Sequence, residues 1–549
     1  MVSLFSSLNI ASGALKVNES AISVVSHNVA NMNTEGYSKQ RVNLASRNIA
    51  GVIGDNVEAQ VRSNGGVMIA NVMRYNNEYL NTYYRTQLSD LGKYEQQLGN
   101  LGDLADIFDD LDGKGISGAL SAFYDALNNL QQYPANAAAR TNFLESAKTL
   151  SSVLHTKSAQ LDELNAKALG DGYSEDSLKN SKIYVEYSQF NDKLEQLAAI
   201  NKALITTQTG TLEANNLLDK RDLILNEIAE FSDIHVEEKH NGSVDLYIGD
   251  TPMVKAAKVV GKLDIMTAQQ FKDKCDEQGI PYPDGFIRPD GSFRENAVIS
   301  ITGESNVFYG NEVITGGALG GLLHSADLDS DDFNAGIAKE HLNDIAAAVA
   351  DIFNTLNKRE NAYHINPNDT TKLSNKDESG ASDMKDIFST NDGSGVFTAA
   401  NIEVNSDLLT DKGIWYISCA YFDDPDNYDE NAVGNAQNTI QELDLRHEHL
   451  NGQELYPGYN LPDLDGMSIE DYYTSMIGKI AASGNNAQNL VDTQRDVVDS
   501  IDAQIKANNS VDLNEELVDL VKYQTAYAAA AQVFNAVNSC LDTLMNLGR

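Results

Sequence analysis

Three stretches of the 549-residue chain set residues capable of chemistry at suggestive spacings. In "LRHEHL", His447 and His449 offer two imidazoles to a metal, but no further ligands of a recognisable spacing stand nearby, and a zinc site needs three or four. "DLDSDDFNAG", residues 327–336, opens like a calcium-binding EF-hand loop. It then puts Asp332 where the sixth-position glycine belongs and Ala338 where the terminal glutamate belongs, so it reads as a solvated turn and helix start. "GKGISG", Gly113 to Gly118, has the spacing of a dinucleotide fingerprint. It comes after the acidic, helix-like "LADIFDDLD" instead of a hydrophobic strand, which makes it a loop between helices. His27 stands at a helix end beside several asparagines, a structural position. Cys275, Cys419 and Cys540 are far apart, with no CxxC pair, so neither a disulfide framework nor a thiolate metal site is indicated. No HExxH, G-x-S-x-G or P-loop occurs. The expectation is a protein that is not an enzyme and needs no cofactor.

Charge narrows the partners. Against 80 Asp and Glu there are 40 Lys and Arg, a net charge of −40. Such a surface repels phosphate backbones and anionic headgroups, so neither nucleic acid nor membrane is an expected partner. No run of about 18 apolar residues is present, and Met1 to Phe5 lack the basic start of a secretory signal. These rules alone would place the chain in the cytoplasm.

The elements at the two ends suggest what the chain does. Leu4, Leu8, Ala11, Leu15, Asn18, Ile22, Val25 and Val29 alternate at spacings of four and three, a narrow helical seam with one polar member. A helix this short is marginal alone and needs a partner. Leu520, Tyr523, Tyr527, Ala530, Phe534, Val537, Leu541 and Leu544 repeat the spacing near the other end. Asp512 can N-cap that helix, with Glu515 at the reciprocal capping-box position. The pair could close as a hairpin within one chain. Charge points further: residues 1–44 carry Lys16, Lys39 and Arg41 against Glu19 and Glu35, a balance of one positive charge on a very acidic chain. A near-neutral terminal segment on an acidic body suits packing against further copies, where like charge would be costly. At the end of the first seam stands "SHNVANMNTEGYSKQRV". Gly and Asn tolerate the left-handed backbone that stops a helix. Asn28, Asn31 and Asn33 can tie the Thr34-Glu35-Gly36-Tyr37 turn to neighbouring backbone, with Tyr37 as an anchor.

That stretch resembles the N-terminal signature of the bacterial flagellar axial proteins, the family of rod, hook and hook-associated proteins. "VDLNEELVDLVKYQTAYAAAAQVFNAVNSCLDTLMNL" resembles the matching C-terminal signature. The continuation Tyr37-Ser38-Lys39-Gln40 is most similar to the hook-associated branch; rod and hook proteins more often have lysine directly after the aromatic residue. "YPANAAARTNFLESAKTL", "NNLLDKRDLILNEIAEFSDIHVEEKHNGSVDLYIGD" and "ITGGALGGLL" look like segments of that branch too. The resemblance implies a structural part of the junction between hook and filament. Hook protein would lie below it and the next hook-associated protein or filament above. It implies secretion, uncleaved, by the flagellar type III apparatus, an export chaperone on residues 511–549, and termini that fold on assembly into a ring. By position it assigns the assembly interface to Leu8, Leu15, Ile22, Val29, Asn28, Asn31, Asn33, Thr34, Gly36 and Tyr37, with Leu520, Tyr523, Tyr527, Phe534, Val537 and Leu541. A hook or rod axial protein, or a flagellum-exposed adhesin or binding module, are the alternatives.

The expected fold is mainly α with inserted β. Residues 1–65 form the N-terminal helix and loop of an inner coiled-coil domain. Residues 66–233 read as the first part of a helical domain, with Asn136 as an N-cap and a single proline, Pro134, in the first 251 residues. At Ile234 the period changes to alternation around Asn241-Gly242, a hairpin signal, and Pro-Asp-Gly turns come at 283–285 and 289–291. Residues 234–310 therefore read as a β-rich insertion folded out from the helical body. The helical domain resumes over 311–510, where Ile337, Leu342 (or His341), Ile345, Val349, Ile352 and Leu356 share a face. Residues 361–470 are turn-rich, and 511–549 supply the C-terminal helix of the inner domain.

Overall fold

The computed structural model describes residues 2–46, 66–109, 113, 115–288, 291–304, 306–325, 327, 333–377, 379–456 and 459–547. Residues 47–65 of the expected inner domain, Lys114 of the glycine-rich loop, the start of the second Pro-Asp-Gly turn and Asp332 of the acidic loop lie outside them.

The chain opens with helix α1, Val2–Asn31, and then forms an antiparallel pair, β1 (Gln40–Ser46) and β2 (Val67–Arg74), with a bulge between Asn43 and Leu44. Four long helices come next, α2 (Glu78–Ile107), α3 (Ile116–Gln132), α4 (Ala137–Leu169) and, after the one-turn α5 (Glu175–Lys179), α6 (Lys182–Thr206). Helix α7, Leu212–Phe231, leads into the strands β3 (His235–Glu238), β4 (Val244–Ile248), β5 (Thr251–Lys255), β6 (Lys258–Val259) and β7 (Gly261–Thr267). Then come α8 (Ala268–Gln278), β8 (Ala297–Gly303), α9 (Gly317–His324) and α10 (Ala335–Lys358). Beyond short strands and 3-10 turns lie α11 (Gln437–Asp444), α12 (Ile469–Asn509) and α13 (Leu513–Leu547). The mainly helical class with inserted β is the one observed.

Local signals explain many of these limits. Asn136 caps α4, its side-chain oxygen accepting from the Ala138 and Ala139 amides at 2.8 and 3.4 Å. Gly242 takes φ +81° in the turn between β3 and β4, whose register pairs Glu238 with Val244 and His235 with Tyr247. The glycine-rich loop lies between α2 and α3, with Gly113 at φ +64°. The stretch from residue 66, read as mainly helical, instead begins with strand β2, whose "VMIANVMR" pairs along β1.

Two cores organise the body. The larger joins α2, α3, α4, α10 and α12 around Phe123, Phe143 and Phe353, with ring centroids 5.2 Å apart for Phe123–Phe143 and 4.8 Å for Phe123–Phe353. Leu342, Ile345, Val349, Ile352 and Leu356 of α10 are buried in it, and Ile337 packs at its edge. The second core combines Ile183, Phe190, Leu194 and Leu197 of α6 and Leu225 and Ile228 of α7 with Leu246, Ile248, Val254, Leu263, Ile299 and Ile301 of the strands. These strands thus lie against the helices; only a small cluster around Phe271, Phe286 and Phe293 belongs to the 266–309 segment itself. The glycines of "ITGGALGGLL" let α9 approach α2 closely: a Cβ at Gly321 would stand 2.7 Å from the Lys93 carbonyl oxygen.

Candidate assembly interface

At the C-terminal end of α1 the chain ties a polar knot. Asn28 is buried, and its side chain bonds inward through both of its polar atoms. Its Nδ2 donates to the Gln40 carbonyl at 2.8 Å and to Glu516 Oε2 at 3.0 Å. Its Oδ1 accepts from the Tyr37 hydroxyl at 2.7 Å and from the Gln40 amide at 3.0 Å. One side chain therefore joins α1, the turn, the start of β1 and the start of α13.

The turn itself forms as its residues suggest. The Thr34 amide donates to the Asn31 carbonyl at 2.9 Å, the Asn31 side chain donates back to the His27 carbonyl at 2.9 Å, and Gly36 sits at φ +72°. The Thr34 hydroxyl reaches Asn31 Oδ1 at 3.3 Å, while Asn33 is exposed. Tyr37 also contacts His27 Nδ1 at 3.0 Å, and burial with the nearby Asp219 and Glu516 charges raises its phenol above the usual range.

Lys39 is the hub. Its amide donates to the Asn509 carbonyl of α12 at 2.8 Å, and its carbonyl accepts from the Tyr75 amide at 2.9 Å. Its Nζ lies 2.6 Å from Glu515 and 3.4 Å from Glu516. Burial alone would lower its pKa, but those carboxylates hold it above the ordinary value. Asp512 caps α13, accepting from the Asn514 and Glu515 amides at 2.8 and 3.4 Å. The expected reciprocal bond gives way to an ion pair: the Glu515 carboxylate is engaged by Lys39.

Beneath the knot, α7 supplies a charged anchor. Asp222 is met by Arg74 at 2.7 Å, Arg85 at 3.3 Å and Arg221 at 2.7 Å, while Asp219 holds Arg74 at 2.9 Å and the Ser38 amide at 3.3 Å. Burial would raise the Asp222 carboxyl, but the three guanidiniums overcome it and hold it at about 2. Asp219, with less compensation, is pushed upward by burial. Asn215 donates to Gln40 Oε1 and the Val72 carbonyl, both at 3.0 Å, fixing the β1–β2 pair on α7. Reading the sequence did not find this anchor; its signals are the alternation in "QRVNLAS" and "VMIANVMR" and the acidic-basic run "LDKRD".

The two seams meet, because α1 packs along α13. Among its described residues the buried positions of α1 are Ala11, Val17, Ala21, Val24, Val25 and Asn28, so the buried face includes Ala11 and Val25 of the seam but is turned toward Val17, Ala21, Val24 and Asn28. Leu8, Leu15, Ile22 and Val29 are half-buried beside it. On α13, Leu520, Tyr523, Phe534, Val537 and Leu541 are half-buried and Tyr527 is exposed. Tyr523 joins Ala21, Val24 and Val42 in a small cluster with Ile69, Val72 and Leu212.

Residues 101–368 match the description "Flagellar hook-associated protein FlgK helical domain", residues 8–37 match "Flagella basal body rod protein", and 509–547 match "Flagellar basal body rod FlgEFG protein C-terminal". The chain belongs to the flagellar hook-associated protein family. Flagellar hook-associated protein 1 of Bacillus subtilis strain 168 is 23% identical over 100% of this chain and 99% of its own length. The protein of that name from Salmonella typhimurium is 24% identical over 98% of this chain and 99% of its own. The solved flagellar hook junction protein FlgK of Burkholderia pseudomallei shares the fold at a TM-score of 0.55 and 12% identity, covering 78% of this chain and all of that one. As a hook-associated family member the chain is a structural component of the flagellum and associates with other axial proteins. The knot joins the two rod-type matches: Asn28 and Tyr37 lie in the first, which ends at Tyr37, and Glu516 lies in the second, which begins at Asn509.

Proposed function

We propose that this chain builds the junction between hook and filament by ring-like self-assembly through its terminal helices. The observation that carries this is the state of α13: among its described residues only the acidic Glu516 is buried, while Leu513, Leu517, Val518, Val521, Tyr527, Val533, Leu544 and Met545 are all exposed. A 35-residue helix with so much uncovered apolar surface is a partner-seeking element. Copies packed around an axis would cover it, and each would be held on several sides, so modest single contacts add to a durable ring. The near-neutral N-terminal segment removes the repulsion that the acidic body would otherwise impose.

On this reading the interface comprises Leu8, Leu15, Ile22 and Val29 with Leu520, Tyr523, Tyr527, Phe534, Val537 and Leu541, oriented by the knot of Asn28, Asn31, Asn33, Thr34, Gly36 and Tyr37. The helical body is divided as 66–233 and 311–510 around the β-rich 234–310. Hook protein lies below, the next hook-associated protein or filament above, and the export chaperone covers 511–549 before assembly. The chain leaves the cell without a cleaved signal and acts without catalysis. The hook-associated helical-domain match supports this branch over a rod or hook protein. Deletion of the gene, with electron microscopy of the flagella and of the spent medium, tests the proposal. Bare hooks with flagellin lost to the medium are expected; normal filaments would overturn it, and loss of the hook would move the protein down the axis.

A further inference from the structure

A second uncovered surface lies at the start of α2. Tyr79 and Tyr83 stand one turn apart on one face of α2, and Tyr75 lies in the extended segment just before the helix. All three are exposed, Tyr79 by 77%, and the Tyr79 and Tyr83 rings stack at 6.5 Å with planes 12° apart. Between Arg74 and Arg85 the only charge is Glu78, an unusually neutral stretch in a chain of −40. Tyrosine presents a large, stiff apolar face with a polar tip, which is why it is enriched where proteins meet.

Another patch lies nearby. Leu517, Val518 and Val521 share one side of α13 and are 47%, 68% and 61% exposed. The charged residues of those turns, Glu515, Glu516, Asp519 and Lys522, fall on the other side, where Glu515 and Glu516 engage Lys39. The Tyr79–Tyr83 pair and the α13 patch are both exposed within the chain, while Tyr75 is met by the Arg41 side chain. Lys39 ties the two patches to one level of the molecule, its carbonyl bonded to the Tyr75 amide and its Nζ to Glu515.

Resting on the proposed ring, we infer that the Tyr79–Tyr83 pair of one copy docks onto the Leu517–Val518–Val521 face of the next copy. Closed rings of identical subunits use heterologous contacts, so every copy must present two different patches that fit each other. A ring with little axial rise needs those patches at a similar height, and the two beside Lys39 meet that need. Elsewhere on the body a neighbour would face like charge, which disfavours contact. The contact is continuous with the terminal pair, and it staples the body of one copy to the terminal helix of another.

The test places a photo-crosslinking amino acid at Tyr79 in cells carrying assembled flagella, with the same residue at Tyr527 as a positive control. Illumination should give a band of twice the chain's mass, with the crosslinked peptide within residues 513–528 of a second copy. A crosslink to another protein or another segment, or none while Tyr527 crosslinks, would overturn the inference. Charge exchange is the second measurement. Tyr79→Glu and Val518→Lys should each cause filament shedding with export and circular dichroism unchanged, and the double variant should restore attachment. Shedding that the double variant leaves uncorrected would count against the pairing. Bare hooks on gene deletion combined with a misplaced crosslink would sink this contact alone, whereas normal filaments on deletion would sink the ring as well.

Discussion

Phe143 on α4 and Phe534 on α13 are the same side chain in the same kind of helix. Phe143 is sealed against Phe123 and Phe353, with no solvent exposure, whereas Phe534 stays half-buried on a helix whose main neighbour is α1. The body completes its core from one chain. The terminal pair carries the same kind of periodic apolar pattern, but a single chain lacks the surface to cover it. An apolar stripe thus specifies that something must be buried without specifying which molecule supplies the cover.

The widest separation between the regions should come from charge placed on α13. Tyr527→Asp with Phe534→Asp should abolish filament attachment while the urea unfolding transition of the purified chain's body stays in place. Phe143→Ala, in contrast, should cost the body about 3–5 kcal/mol in that same transition. A collapse of the body in the α13 variant would break the comparison.

The charged anchor should behave as part of the body. Asp222→Asn removes the carboxylate that three guanidiniums share, leaving Arg74 to Asp219 and Arg221 to Glu238, and should cost roughly 3 kcal/mol at neutral pH by urea titration. The Asp222 carboxyl is depressed in the folded chain from 3.8 to about 2, so its contribution is present above about 4 and lost as pH falls toward 2. The variant should therefore lose part of the wild-type acid sensitivity in that window.

Asn28→Ala sharpens the boundary between the two regions. It deprives the Tyr37 hydroxyl, Gln40 and Glu516 of partners at once, at a cost of about 2 kcal/mol. Hydrogen exchange should show that cost as faster opening of α13 and the C-terminal end of α1, with α4 and α10 unchanged. Uniform acceleration would mean that the knot supports the body as well.

A further pH-linked effect belongs to Glu442, deep in the body. Burial raises its carboxyl from 4.5 to about 8, and the Asn438 amide donates to it at 3.4 Å. The folded chain holds this proton more tightly than the unfolded chain, so stability falls as pH rises between those values. Glu442→Gln should flatten that decline, and an equal loss of stability between pH 6 and pH 8 in wild type and variant, read from urea titrations, would refute the assignment.

How much was legible in the residues depends on the range of the interactions. The Asn136 cap, the Asn241-Gly242 turn and the buried face of α10 depend on near neighbours, and their types and spacing announce them. The phase of α1 depends on β1 and β2, whose pairing joins residues 40–46 to 67–74. Without that strand pair, the larger Leu8, Leu15 and Ile22 outweigh the small Ala21 that is in fact buried. The buried Glu516 was equally hidden, because its partner Asn28 lies 488 residues away. The relation of the strands to α6 and α7 was invisible for the same reason: alternation marks a buried face without naming what lies on it.

The length of α12 also has a mechanical side. This helix runs for 41 residues, about 60 Å at the usual rise, from the aromatic core to three residues short of α13. It contains no proline, and hydrogen bonds clamp its final turn: the Ser510 amide returns to the Lys506 carbonyl, and the Asn509 carbonyl takes the Lys39 amide. A twist applied at α13 is therefore carried along one long helix into the body, with residues 510–512 as the joint between α12 and α13.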